Sequence, residues 1–183
     1  MNAKRGALRA GIVGLGAMML AACASSPGVD MSVPMKDGEW KGRSNADDQG
    51  AIGVITITVE GGDITSTSYE TLQANGTDKG VDYGKSSSGE VFNEDYYEKA
   101  QRAVESFARY SQELTEKDDP AKVDVVSGAT VAHRQFIQAA IRAISAAQGV
   151  DDSGANGVEI PGLEESTRIG DADLDKDLGG TDR

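Results

Sequence analysis

The segment Ser127-Gly128-Ala129-Thr130 combines residue types that suit phosphate binding. It lies three positions after Asp124 and directly before a helical apolar pattern. Gly128 permits a backbone turn that residues with a Cβ disfavour, and Ala129 adds little bulk beside it. Thr130 places a hydroxyl where a helix begins, next to backbone N–H groups that lack intrahelical partners and attract anions. These residues therefore predict a phosphate site at a helix start.

The same residues also fit a purely structural role. A small polar residue followed by Gly before a helix is a common turn and N-cap, and four residues do not separate the two interpretations. For Asp124, a turn carboxylate and a role in the motif are equally open. The N-terminal segment and the order of the other elements supply the missing context.

Residues 1–22 predict a lipoprotein signal peptide. Three basic residues fall in the first nine positions, and the apolar stretch 10–20 is too short to cross a bilayer as a helix. It leads to Leu20-Ala21-Ala22-Cys23, which resembles a bacterial lipobox. Cleavage and acylation (palmitate) at Cys23 would anchor the protein on the extracytoplasmic face of the cell membrane, since two or three acyl chains anchor stably. The alternative is an ordinary secretory signal that leaves Cys23 a free thiol.

The composition excludes several classes of function. The 183-residue chain has a formal net charge of −12, and loss of the three basic residues in 1–22 makes it −15. So strong a negative charge argues against nucleic acid as a partner. Cys23 is the single cysteine and His133 the single histidine. An internal disulfide is therefore excluded, and no metal site of the zinc or iron type is expected.

Composition also predicts the domain boundaries. We expect a lipidated Cys and flexible linker over 23–36, one domain over 37–147, and an acidic disordered tail over 148–183. The tail holds ten acids and few apolar residues, too few to offset the entropy lost on ordering. Truncation after Gln148 is accordingly expected to leave stability almost unchanged.

Residue periodicity in the domain predicts an α+β fold, a small antiparallel sheet packed with two main helices. Residues 37–42 indicate a turn entering a strand. Residues 52–60 alternate between apolar and polar, and after Gly61-Gly62 a β-rich return strand runs over 63–70, as in a hairpin.

The second half of the domain predicts the helices. Polar residues 71–90 indicate a long surface excursion. Helical spacing runs from about Asn93 to the Asp118-Asp119-Pro120 stop, and a second helix is expected over 131–147. Residues 122–126 between them indicate a short strand or extended segment.

The stretch from Asp124 to Thr130 resembles the flavinylation motif of the FMN-binding domain family. That domain occurs in the C subunit of sodium-translocating NADH:quinone oxidoreductase, the G subunit of the Rnf complex and many surface lipoproteins. The family's Asp-Gly-aromatic-x-Gly opening is matched at 37–42, and the order of elements agrees over about 110 residues. The resemblance implies FMN attached to Thr130 by a phosphodiester bond, with Asp124 and Ser127-Gly128-Ala129 as further cofactor-binding residues.

One departure from the family pattern follows the motif. Members usually carry another Ser or Thr two or three positions after the modified Thr, where this chain has Ala132 and His133. A flavin transferase either tolerates this change or modifies the chain poorly. His133 and Arg134 could face the phosphodiester, where positive charge helps an anion; for His133 the alternative is a solvent-exposed helix position.

The function implied by the resemblance is electron transport by a membrane-anchored flavoprotein. Electrons would come from a membrane quinol or flavoprotein and pass to an external acceptor. A redox subunit is expected rather than a stand-alone enzyme, since no Cys–His pair or dinucleotide-binding Gly fingerprint is present. The alternatives are a non-redox surface lipoprotein with an unflavinylated version of the fold, and a noncovalent flavin sensor. Six aromatic residues are candidates to contact the flavin ring, although for each one singly core packing is favoured over flavin contact: Trp40, Tyr69, Tyr83, Tyr96, Tyr97 and Tyr110.

Overall fold

The computed structural model describes residues 28–162. The signal peptide, Cys23 and residues 163–183 lie outside this range. The main elements are β1 (Gly38–Arg43), β2 (Ile52–Glu60), β3 (Asp63–Leu72), α1 (Glu94–Lys117) and α2 (Thr130–Gln148). The strands form one antiparallel sheet in the order β1-β2-β3, which confirms the predicted α+β class. Neither helix within residues 28–162 is both long enough and apolar enough to cross a membrane.

The sheet forms as its alternation predicts. Ile55, Ile57 and Val59 of β2 are buried on the face that meets the helices, and the intervening residues stay partly exposed. The chain reverses at Gly61-Gly62, where both glycines have positive φ, as a tight hairpin between twisted strands requires. One sheet face is therefore available for helix packing.

Both helices pack against that face, with α2 over β1 and β2 and α1 over β3. The Asn93 side chain caps α1 by accepting a hydrogen bond from the N–H of Tyr96 at 3.0 Å. The helix ends where Asp118 takes a left-handed conformation with φ of 53°. A short 3₁₀ turn (Pro120–Lys122) follows. Val123 is extended, and residues 123–126 belong to no strand of the described sheet.

Helix α2 lies unusually close to β1 at Gly42. A Cβ at this position would clash with the carbonyl oxygen of Ala139 and lie 2.7 Å from the backbone nitrogen of Ala143. Gly and Ala at these positions let the two backbones approach. The close contact fixes the depth at which α2 sits on the sheet.

The N-terminal segment differs from the predicted linker. Val29 and Met35 are buried in the core, although 23–36 looked like a flexible linker. The side-chain amide of Gln148 donates hydrogen bonds to the carbonyls of Asp30 (2.8 Å) and Val33 (3.0 Å). The described part of this segment, residues 28–36, therefore belongs to the domain.

The predicted tail boundary at residue 148 is also wrong for its first part. After α2, the chain forms a short 3₁₀ turn (Ser153–Gly157), and Ala155 and Val158 are 0% and 3% exposed. The Gln138 amide donates to the carbonyls of both residues, at 3.2 and 3.1 Å. Composition missed this packing because two buried side chains and two hydrogen bonds suffice to hold the turn.

We therefore expect truncation after Gln148 to destabilise the domain, contrary to the expectation from composition. The truncation exposes the Val158 contact surface and removes both partners of the Gln138 amide nitrogen, a loss on the order of 3 kcal/mol in the free energy of unfolding. Urea denaturation measures it. A chain ending after Gly162 keeps every described contact and is the control; equal stability of the two truncations would contradict this prediction.

Candidate functional site

The predicted phosphate motif forms a turn that leads into α2. Gly128 has φ of +79°, a left-handed conformation that Gly adopts without strain, and the N–H of Ala129 donates to the Val126 carbonyl at 2.9 Å. The helix then begins at Thr130 with Ala129 as the N-cap, and no side chain caps it. The N–H groups of its first turn are therefore left without an intrahelical or capping partner.

The hydroxyl of Tyr110 fastens this turn to α1. It accepts a hydrogen bond from the N–H of Val126 at 3.2 Å and lies 3.4 Å from the Ala129 carbonyl, to which it donates. Tyr110 is fully buried, and burial raises the pKa of its phenol. Because the phenol stays protonated, it keeps its donor, and both ends of the Ser127-Gly128 turn are held.

His133 is half-buried behind the motif rather than exposed or directed at a phosphate. Its Nε2 donates to the Val123 carbonyl at 2.9 Å, and its ring lies 5.3 Å from that of Tyr110. Burial lowers the pKa of His133, against the opposing effects of the Val123 hydrogen bond and two nearby carboxylates. A neutral imidazole with its proton on Nε2 thus positions the segment before the motif.

Asp124 belongs to a network of charged groups at the end of α1. Its carboxylate pairs with Lys117 at 3.1 Å, and its N–H donates to Glu113 at 2.9 Å. Burial raises the pKa of Glu113, but hydrogen bonds from Arg109, Lys117 and this N–H lower it to about 2. These contacts favour the turn-carboxylate interpretation, in which Asp124 helps to anchor the approach to the motif.

Thr130 lines an open cleft of about 680 Å³. A volume of roughly 300–1,000 Å³ is usual for small-molecule sites. The cleft is also lined by Asn45 and Ala46 from the loop after β1, by Arg134 and Gln138 from α2, and by residues 156–162. Of the five residues predicted to bind the cofactor, only Thr130 is in this lining, together with Arg134, which was predicted to face the phosphodiester. Ser127 and Gly128 are exposed beside it and Ala129 is buried beneath it.

The start of α2 offers the cleft a set of groups suited to a phosphate. Arg134 follows Thr130 by one helical turn, so both project to the same side. Among residues 28–162, no carboxylate is paired with Arg134 in an ion pair. Together with the uncapped N–H groups of the first turn, the Arg134 guanidinium gives the cleft an anion-binding end.

Comparison with known proteins identifies the family. The model of the FMN-binding domain matches residues 48–145, more than half of the chain. The chain belongs to the FMN-binding domain family. Its cofactor is therefore FMN, and the protein is a flavoprotein. No curated protein matches the chain significantly.

Two solved structures resemble this FMN-binding domain. One is a crystal structure of a Clostridium perfringens protein, 25% identical, which covers 63% of this chain and 90% of its own, with a TM-score of 0.49. The other is a solution NMR structure of a Clostridium thermocellum protein, 25% identical, which covers 64% of this chain and 95% of its own, with a TM-score of 0.36.

The residues present fit FMN at its phosphate end, whereas the aromatic candidates for the ring do not line the cleft. Tyr69 and Tyr110 are core residues, and the Trp40 indole donates to the Lys36 carbonyl at 2.8 Å. Sequence reasoning missed Gln138 and residues 156–162. The available signal was a glutamine within the apolar pattern of α2, since a polar residue on a buried helix face needs a specific partner.

The burial of His133, the single histidine, can be tested through the pH dependence of stability. Because the pKa of His133 in the folded state lies below its ordinary value of 6.5, the unfolded state binds the proton first. The contribution of the neutral His133 to the free energy of unfolding is therefore fully present above pH 6.5, and it is lost as the pH falls through the folded-state pKa. We expect NMR titration to give a lower pKa in the folded than in the urea-unfolded chain. We also expect His133→Gln to reduce the loss of stability between pH 8 and pH 5; equal pKa values would contradict the burial.

Proposed function

We propose that FMN is attached to Thr130 through a phosphodiester bond. The observation that carries this proposal is the position of Thr130, a partly exposed residue at the uncapped start of α2 that lines an open cleft. The hydroxyl loses its proton as its oxygen bonds to the phosphorus of a flavin nucleotide, and the donor's leaving group departs from that phosphorus. A flavin transferase would supply the activated donor.

The geometry suits such a bond in two respects. Arg134 and the free N–H groups of the first helical turn can neutralise the negative charge of a phosphodiester at this place. The turn is held by Tyr110 on one side and by His133 and Val123 on the other. Thr130 is therefore presented from a fixed backbone, and Ala132 and His133 point into the fold instead of toward the transferase.

We further propose that the protein is a lipid-anchored extracytoplasmic electron carrier. Flavins exchange electrons while the protein supplies binding and orientation, and a covalent bond prevents loss of FMN outside the cell. The lipobox-like sequence ending in Cys23 supports the membrane location. The donor would be a membrane quinol or flavoprotein and the recipient an external acceptor.

Thr130→Ala tests the attachment site. We expect the variant, expressed in its host, to lose all flavin that survives denaturation, while its free energy of unfolding changes by less than about 0.5 kcal/mol, as for other surface substitutions. Intact mass and peptide mapping measure the adduct. Thr77→Ala removes an exposed threonine hydroxyl in the loop after β3, outside the motif and the cleft, and is the matched control, which should stay fully flavinylated. An adduct that persists in Thr130→Ala would contradict the proposal.

Cys23→Ser tests the anchor. Without the thiol the lipid cannot be attached, so the variant should leave the membrane fraction or accumulate unprocessed. Cell fractionation shows whether the variant leaves the membrane, and the mass of the N-terminal peptide shows whether the signal peptide has been removed. Cys23→Ser that is processed normally and still sediments with membranes would contradict the lipid anchor.

A further inference from the structure

The outer wall of the cleft comes from one short segment beyond the family match. Seven of the twelve residues that line the cleft are residues 156–162, whereas the match to the FMN-binding domain ends at residue 145. This wall (residues 156–162) faces Thr130 and Arg134 on α2, and the loop residues Asn45 and Ala46 complete the lining.

Gln138 connects the wall to the loop across α2. Its side chain is 1% exposed. The amide nitrogen donates to the carbonyls of Ala155 and Val158 at 3.2 and 3.1 Å, and the amide oxygen accepts from the N–H of Asn45. A buried amide with three partners holds them firmly, because losing any one leaves a polar group unpaired.

Arg142, one turn further along α2, makes a second connection between the same two segments. Its guanidinium donates to the side-chain oxygens of Asn45 at 2.8 Å and Asn156 at 2.9 Å, and to the carbonyl of Arg43. The planar guanidinium suits several fixed acceptors at once. The helix that presents Thr130 therefore also sets the spacing between the two sides of the cleft.

The wall differs in chemistry from the anion-binding end. The wall carries the exposed side chains of Asn156 and Glu159, and beside them Ile160 and Pro161 are partly exposed. Ala46 adds a small apolar side chain on the loop side. A planar, largely apolar ring system gains free energy by covering such a surface. Thr130 and Arg134 suit a phosphate, and the wall offers the aliphatic side chains of Ile160 and Pro161 next to the polar groups of Asn156 and Glu159. This combination matches a ligand whose ring has an apolar face and polar edges.

We propose that the wall is the binding surface for the isoalloxazine ring, and that Gln138 and Arg142 are positioning residues which hold it. This inference rests on the proposed attachment of FMN at Thr130. It gives the ring an aliphatic surface in place of the aromatic residues considered from sequence. It also makes a segment outside the matched domain part of the cofactor site.

The test adds a carboxylate to the wall of the full-length flavinylated protein, next to the one that Glu159 already supplies. In Ile160→Glu, a carboxylate beside the ring disfavours added electrons, so the flavin midpoint potential should fall. The acrylamide quenching constant of flavin fluorescence should rise about twofold or more as the ring loses apolar cover. Val150→Glu is the matched control. It makes the same change at an exposed apolar residue after α2, roughly 27 Å along that helix from Thr130 and well beyond the screening length.

Arg142→Ala tests the positioning role without changing the wall itself. Hydrogen exchange of residues 153–162 should become faster and the potential should shift. Arg102→Ala, which removes an exposed arginine paired with Glu98, should change neither quantity. Potentials and quenching constants in Ile160→Glu and Arg142→Ala that equal those of the wild type would overturn the inference.

A wild-type chain without flavin at Thr130 would contradict the proposed attachment alone. The wall is then tested by adding free FMN to the same full-length protein. Slower hydrogen exchange in residues 156–162 on addition of FMN supports the ring-binding surface. If hydrogen exchange in residues 156–162 is the same with and without flavin, whether the flavin is covalent or added free, the ring-binding surface is overturned.

Discussion

The close contact of α2 with β1 at Gly42 is the constraint on which the rest of the structure depends. No side chain fits between the strand and the helix at this point, where Ala139 and Ala143 meet the glycine. Since α2 sits so deep, its side chains reach the strand ends and loops around it. The same helix begins at Thr130, so the depth of the contact also places the site. The Gly at the end of the family's opening element thus has a packing role in this chain.

Three buried glutamines on α2 form hydrogen bonds that hold neighbouring segments of the chain against the helix. Gln135 donates to the Ala51 carbonyl, Gln138 holds the loop and the wall, and Gln148 holds the N-terminal segment. A buried amide is costly unless it is hydrogen-bonded, so each one specifies a single arrangement of its partner segment. Apolar side chains of similar volume would bury as much surface, but they would not fix the position of these segments relative to α2.

Sequence patterns predicted the elements whose signal is periodic. The strands around Gly61-Gly62, the two helices and the motif turn all follow from alternation, helical spacing and glycine. The ordered segments 28–36 and 149–162 were missed because side-chain-to-backbone bonds from Gln138 and Gln148 have no periodic signature. The aromatic residues gave no comparable signal for the ring. Tyr69 and Tyr110 pack with Phe136 in the core, the role that the sequence favoured for each aromatic singly, and aromatic type alone does not separate core from cofactor contact.

Attachment and ring environment fall on different parts of the chain in our proposal. The turn, Thr130 and Arg134 lie inside the matched domain, where the geometry of α2 and Tyr110 constrains them. The wall lies outside it. Within residues 28–162, Gln138 and Arg142 bond its backbone and Asn156 to the helix, and Val158 packs in the core. Because those bonds reach mostly backbone atoms, the side chains at 159–161 can change without disturbing the fold. The wall can therefore tune the flavin potential while the attachment site stays the same, a separation that a site built from core aromatics would not allow.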